Sequence, residues 1–246
     1  NTVLFPGVVI PITAGRDKSI KLINDANKGS KVIGVVSQKD ENVEDPGAND
    51  VFKKGTVARI LKVLKMPDGN TTVIIQGKKR FEIQEVVTED PYMTATVKGV
   101  DEAKPAVDNK EFSAIIDSIK DLSLQIIKDS PNIPSEASFA IKNIESNSFL
   151  VNFVSSNMNL SVTEKQELLE INDLKERALA TLKYMNIEVQ KLELKNDLIE
   201  LHIAALTLVI SEELGSEIHF LSILIFNFLT LRLNGFFSFV FLGLNC

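Results

Sequence analysis

Over residues 1–100, short apolar runs alternate with turn-forming clusters, a spacing that predicts strands. Residues 2–5 and 8–12 are two such runs, broken by Pro6-Gly7. Residues 31–37 (KVIGVVS) form a continuous apolar stretch of the kind buried on both faces. Residues 56–65 and 71–76 read as a hairpin joined by Met66-Pro67-Asp68-Gly69-Asn70, where Gly69 can take the positive φ of a tight turn. Residues 81–87 and 93–100 add two strands, separated by Asp90-Pro91. One helix interrupts the series at 16–26, with Ile20 and Ile23 at helical spacing, Asp17 in the first turn and Gly29 at the expected stop. Residues 38–49 hold four acids and Pro46-Gly47, so they form a loop. The set predicts a compact, partly closed β-barrel.

Beyond the charged, proline-containing segment 101–107 the period changes to about 3.6. Asp108 and Glu111 have capping-box spacing, followed by Phe112, Ile115, Ile116, Ile119, Leu122 and Ile126 on one face. Pro131 and Pro134 end that helix, Ser135 starts a second, and residues 149–154 form a short third. Ser161 with Glu164 caps a helix through Ile171. Asp173 with Glu176 opens the longest one, to about Leu198. Its seam runs Ala178, Leu182, Met185, Val189, Leu192, Asn196 and Ile199, at alternating spacings of four and three. We favour packing of this face on the preceding helices over a free coiled coil, because only three heptads are present. The expected organisation is a β subdomain over 1–103, a helical subdomain over 104–198, and an apolar tail over 199–246. The fold class is α+β.

Composition changes this picture at the tail. The 246 residues carry 27 basic and 33 acidic side chains, a net charge of −6, but residues 218–246 contain seven of the fourteen phenylalanines and one charge, Arg232. Residues 218–231 are fourteen without charge, short of the about 18–20 needed to span a bilayer. Extending past Arg232 places a charge within the span, at about 2.5–3.5 kcal/mol. A membrane anchor over 218–244 is therefore the alternative reading. The Phe/Leu/Ile/Asn/Ser mixture is also what a shifted reading frame gives in AT-rich DNA, and we expect residues 199–246 to be of foreign frame. At the other end, Asn1 stands inside an apolar run with no signal peptide, so the first strand is expected to begin before it.

The acidic balance argues against nucleic acid as a partner. The single cysteine, Cys246, excludes an intrachain disulfide framework and fits a reducing, cytoplasmic setting. Two histidines, His202 and His219, leave no multi-histidine metal site, and no metal or cofactor is expected on this chain. A phosphate-cradling loop is absent, since the only Gly-Lys pair is Gly77-Lys78, followed by Lys79. No Gly-x-Ser-x-Gly or His-Glu-x-x-His occurs, and the carboxylate pairs Asp40-Glu41 and Glu212-Glu213 sit among polar neighbours. No catalytic residue is assigned. Lys53-Lys54 and Lys78-Lys79-Arg80 could meet an acidic partner, but we favour charged strand ends that keep edges soluble.

Three blocks carry a resemblance. Residues 1–23 (NTVLFPGVVIPITAGRDKSIKLI) hold Phe5-Pro6-Gly7 and Ile10-Pro11; residues 55–83 (GTVARILKVLKMPDGNTTVIIQGKKRFEI) hold the Pro-Asp-Gly hairpin and a Gly-x-x-Arg strand start; residues 174–198 (LKERALATLKYMNIEVQKLELKNDL) form the long helix. In order and spacing, over residues 1–198, they resemble the amino-terminal domain of Lon, the ATP-dependent serine protease. The resemblance implies a PUA-like β-barrel followed by a helical bundle with a long C-terminal helix. It implies a non-catalytic role in recognising unfolded or damaged proteins and in assembling a homo-oligomeric ring, within protein quality control. ATP, Mg²⁺ and peptide cleavage belong to later modules of that family, a Walker-type ATPase and a Ser–Lys protease.

A receptor for unfolded chains needs accessible apolar side chains or an open strand edge. By position the candidate substrate contacts are Met66 and Pro67 at the hairpin tip, and Pro91, Tyr92 and Met93 at a strand entry. Ordinary turn packing is the competing reading for each.

Overall fold

The computed structural model describes residues 2–66, 71–130 and 133–214. The expected hairpin tip at 67–70, including Pro67, and the proposed anchor at 218–244 lie outside the described residues.

Five antiparallel strands make one sheet: β1 (Val9–Ala14), β2 (Val32–Val35), β3 (Lys54–Lys65), β4 (Thr71–Thr88) and β5 (Thr94–Val100). Their order is β1-β4-β3-β2, with β5 also on β4, so the sheet is a half-barrel with open edges. β4 is the organising element. Its first part lies between β1 and β3, with Ile75 opposite both Ile10 and Ile60; its second part lies between β3 and β5, with Phe81 opposite Gly55 and Gly99. The helix α1 (Asp17–Lys28) packs Ile20, Ile23 and Ala26 against Ile60, Val73 and Ile75 of the sheet.

Three strand expectations are corrected. Residues 71–76 and 81–87 are one strand, because pairing continues through Gly77 opposite Ala58 and Arg80 opposite Thr56, with a bulge between. The polar Gly77-Lys78-Lys79 stretch hides this continuity, since both lysines are exposed. β2 is not buried on both faces; it ends the strand order and its residues alternate between exposed and half-buried. Residues 2–5 do not join the sheet, yet Val3, Leu4 and Phe5 are buried. Side chains satisfy that segment's carbonyls: Ser37 Oγ donates to Thr2 O at 2.9 Å and Thr56 Oγ1 to Leu4 O at 2.6 Å.

The Pro6-Gly7 turn is pinned to β4, with Gly7 N–H donating to Gly77 O at 3.0 Å and Gly77 N–H to Val8 O at 2.9 Å. Gly7 has φ of 84°, and a Cβ there would lie 2.7 Å from the Phe149 ring. Only glycine fits that position without strain.

The helical part comprises α2 (Lys110–Asp129), α3 (Ala137–Lys142), α4 (Asn147–Asn157), α5 (Val162–Glu170) and α6 (Leu174–Leu214). The Ser161–Glu164 box forms in both directions. Asp173 Oδ1 accepts from Glu176 N–H at 2.9 Å and caps α6. At α2 the cap is Asn109, one residue beyond the expected Asp108; its Oδ1 accepts from Phe112 N–H at 2.9 Å. Asn and Asp cap equally well, so adjacent candidates are separated only by the backbone that follows.

Phe112, Ile116, Ile119, Leu150, Leu174 and Met185 are central to the helical core. A further core is shared: Val3, Phe5 and Val8 bury against Leu168 and Leu169 of α5, with Phe149 and Tyr184 around them. The chain divides into two compact units, Asn1–Ile187 and Glu188–Cys246. In the second, Leu194 and Leu198 are largely exposed. Among the described residues, no helix is long and apolar enough to cross a membrane.

Candidate functional site

A half-open cavity of about 1110 Å³ lies against the half-barrel. Val57, Phe81, Ile83 and Val97 of the sheet line it, with Leu22 and Ile23 of α1. Alternation and the pairs Gly55–Phe81 and Ile83–Val97 place the four strand side chains on one face; Ile23 packs on the other, with Ala58 and Ile60, so the lining draws on both faces of the sheet. Tyr92 and Met93, half-buried, line the cavity where the chain enters β5. Pro91, which follows a cis peptide bond, is exposed and does not line it. Met66 is 44% exposed at the end of β3 and is also outside the cavity. The structure thus brings together two of the five expected contacts, Tyr92 and Met93.

Polar groups cluster at one side of this cavity. Lys18 Nζ binds both carboxylate oxygens of Asp45, at 3.0 and 2.9 Å. That bond raises the Lys18 ammonium above its ordinary value; desolvation works against it, and the charges of Asp45, Asp90 and Glu89 add to the rise. Arg16 Nη2 donates to Gln38 Oε1 at 3.2 Å and Val43 O at 3.3 Å, and Glu89 Oε1 accepts from Ala48 N–H at 2.8 Å. Sequence reading took residues 38–49 as a plain loop. No periodicity marks contacts made by polar side chains across 27 and 41 positions.

A second polar cluster joins the sheet to the helices. Arg80, on β4, is buried, and its Nη1 donates to Leu169 O at 3.0 Å and Ile171 O at 2.7 Å. Arg177, on α6, donates to Ile171 O at 2.9 Å and pairs with Glu102. Burial, with the Arg177 charge beside it, pushes Arg80 down to about 10, still fully charged at neutral pH. Arg80 is therefore neither part of a basic surface patch nor a solubilising strand end. The Gly-x-x-Arg spacing was its only signal. Gln166 Nε2 to Lys54 O at 2.9 Å and Asn152 Nδ2 to Pro6 O at 3.1 Å complete the joint.

The Gly77-Lys78 pair is not a phosphate loop. Gly77-Lys78 lies inside β4, and the Gly77 N–H is already bound to Val8 O, so it cannot cradle a phosphate. Among the described residues, no group of three or more His, Cys, Asp or Glu side chains could hold a metal ion.

Comparison with known proteins agrees with this geometry. The family model of the ATP-dependent protease La (Lon) substrate-binding domain matches residues 1–187. The Lon protease of Flavobacterium johnsoniae is 75% identical over 198 residues, covering 80% of this chain and 24% of that protein. The Lon protease of Cytophaga hutchinsonii is 48% identical over 198 residues, with the same two shares. The chain thus spans about a quarter of the length of these curated relatives. The N-terminal domain of a Mycobacterium avium complex Lon protease has the same fold, with a TM-score of 0.61 at 24% identity, over 76% of this chain and 94% of that one.

Proposed function

Because the chain belongs to the family of Lon substrate-binding domains, we propose that it is the protein-recognition and self-association module of a Lon-type ATP-dependent serine protease acting in cytoplasmic protein quality control. Unfolded or damaged proteins are its substrates. ATP hydrolysis with Mg²⁺ and peptide-bond cleavage are the work of other modules of the full-length protein, and residues 1–198 act without catalysis. We divide that region functionally into a β receptor over 1–103 and a helical support over 104–198.

The observation that carries the receptor reading is the apolar cavity of the half-barrel, with Tyr92 and Met93 in its lining. Unfolded chains differ from folded ones in exposing apolar side chains, and a concave apolar surface selects for them. Met66, Pro67 and Pro91 stand as a separate, outlying set of contacts. The exposed Leu194 and Leu198, four apart on the face away from the Leu192 and Asn196 seam, support self-association through the long helix.

Binding of reduced, carboxymethylated lactalbumin, compared with the native disulfide-bonded form, tests the proposal. Fluorescence anisotropy is expected to show saturable binding of the unfolded form alone. Equal binding of both forms, or of neither, overturns it.

A further inference from the structure

Ser37 and Val51 are buried, but none of the thirteen residues between them is. The base of this segment is a short ladder: Lys39 N–H donates to Asp50 O at 2.7 Å, Phe52 N–H to Ser37 O at 2.9 Å, and Gln38 bridges Val51. Its far part is tied by two other parts of the chain. Lys18 and Arg16, at the start of α1, hold Asp45 and Val43; Glu89, after β4, holds Ala48. Gln38, Glu41, Asp45, Pro46 and Gly47 of the segment line the cavity between those anchors.

We propose that residues 38–50 form a strap, hinged at Ser37 and Val51 and latched by Lys18–Asp45 and Glu89–Ala48, that gates the half-barrel cavity for apolar side chains of an extended polypeptide. The occupant rests on the receptor reading above; the strap rests on the contacts. An exposed ion pair gives little stability and is screened by salt. A segment with no buried residue, held along its length by this ion pair and by exposed hydrogen bonds such as Arg16 to Val43 O and Glu89 to Ala48 N–H, opens without unfolding the sheet beneath it. Release uncovers Tyr92, Met93 and the apolar floor together, so the gate and the receptor surface are one device.

Thiol labelling reads the gate directly. In the full chain carrying Cys246→Ser and Val57→Cys, the introduced thiol sits on the half-buried cavity wall. Adding Lys18→Met and Glu89→Ala is expected to raise the rate of reaction with a bulky maleimide about three- to tenfold at low salt, and to flatten its dependence on salt. The exchanged pair Lys18→Asp with Asp45→Lys, made without the Glu89 change, is expected to return the rate toward that of the parent. An unchanged rate in the latch variant overturns the strap. Hydrogen exchange guards against misfolding: acceleration confined to residues 38–50 supports the gate, and acceleration across β3 and β4 overturns it. Carboxymethylated lactalbumin is expected to protect the thiol. Binding without protection overturns the stated occupant, whereas no binding by either chain overturns the receptor reading itself, whatever the labelling rates.

Discussion

Arg80 and Arg177 converge on one acceptor, the carbonyl oxygen of Ile171, at 2.7 and 2.9 Å. One arginine comes from the sheet and the other from the long helix, and the acceptor lies in the link between α5 and α6. Of the two buried guanidinium groups, only Arg177 is paired with a carboxylate, Glu102, whose charge reaches Arg80 at longer range. The remaining charge is met by carbonyl oxygens at the C-terminal end of α5, where the helix dipole is negative.

Replacing Arg80 by Met therefore removes the side-chain donor to Leu169 O and one of two donors each to Ile171 O, which keeps Arg177, and Asn172 O, which keeps Ala103 N–H. We expect a loss of about 3 kcal/mol in urea unfolding, in the range for breaking buried charged hydrogen bonds. Arg80→Lys should recover only part of it, because one ammonium cannot span the acceptors a planar fork reaches. Full stability in Arg80→Met would refute the joint.

Tyr92→Ala and Met93→Ala should weaken binding of carboxymethylated lactalbumin about tenfold each, while melting temperatures stay near the parent's. Met66→Ala, outside the cavity, should change affinity less than twofold. Anisotropy titrations decide between these sets of contacts, and equal losses at all three positions would contradict a cavity-centred receptor.

The Ser161→Ala variant removes the cap that serves Glu164 N–H, and with it the reciprocal half of the box. A drop of about 1 kcal/mol in equilibrium stability is expected. Binding should be unaffected, since α5 supports the joint and does not line the cavity.

These outcomes bear on how much of the molecule can be read without coordinates. The Ser161–Glu164 box, the α1 stop at Gly29 and the change of period after residue 107 are local signals, and each corresponds to a feature of the structure. Strand continuity through Lys78-Lys79 is not local: it depends on Thr56 and Ala58 standing opposite. Burial of residues 2–5 likewise depends on Ser37, Thr56 and Leu168, all distant in sequence. Of the candidate contacts, Tyr92 and Met93 followed from their place after a turn, but the cavity joining them to Leu22 needed the sheet's curvature. The buried arginines were the hardest to see, because a charged residue in an antiparallel strand, as Arg80, or in the first turn of a helix, as Arg177, reads as solvent-facing.

Leu194→Gln with Leu198→Gln should lower the sedimentation coefficient of concentrated protein toward the monomer value. Both leucines are largely exposed, and the proposed pairing between copies would remove them from water. Unchanged sedimentation would place self-association elsewhere.

The shared core at Phe5 also sets a schedule for synthesis. Phe5 is made more than 160 residues before its partners Leu168 and Leu169. At about 5–20 residues per second, the wait is roughly 8–30 s. Throughout it the apolar run Val3-Leu4-Phe5 lacks its final burial place, although the strands around it can already pair. A nascent chain of this family is thus, for that interval, itself the kind of polypeptide its finished fold is proposed to bind.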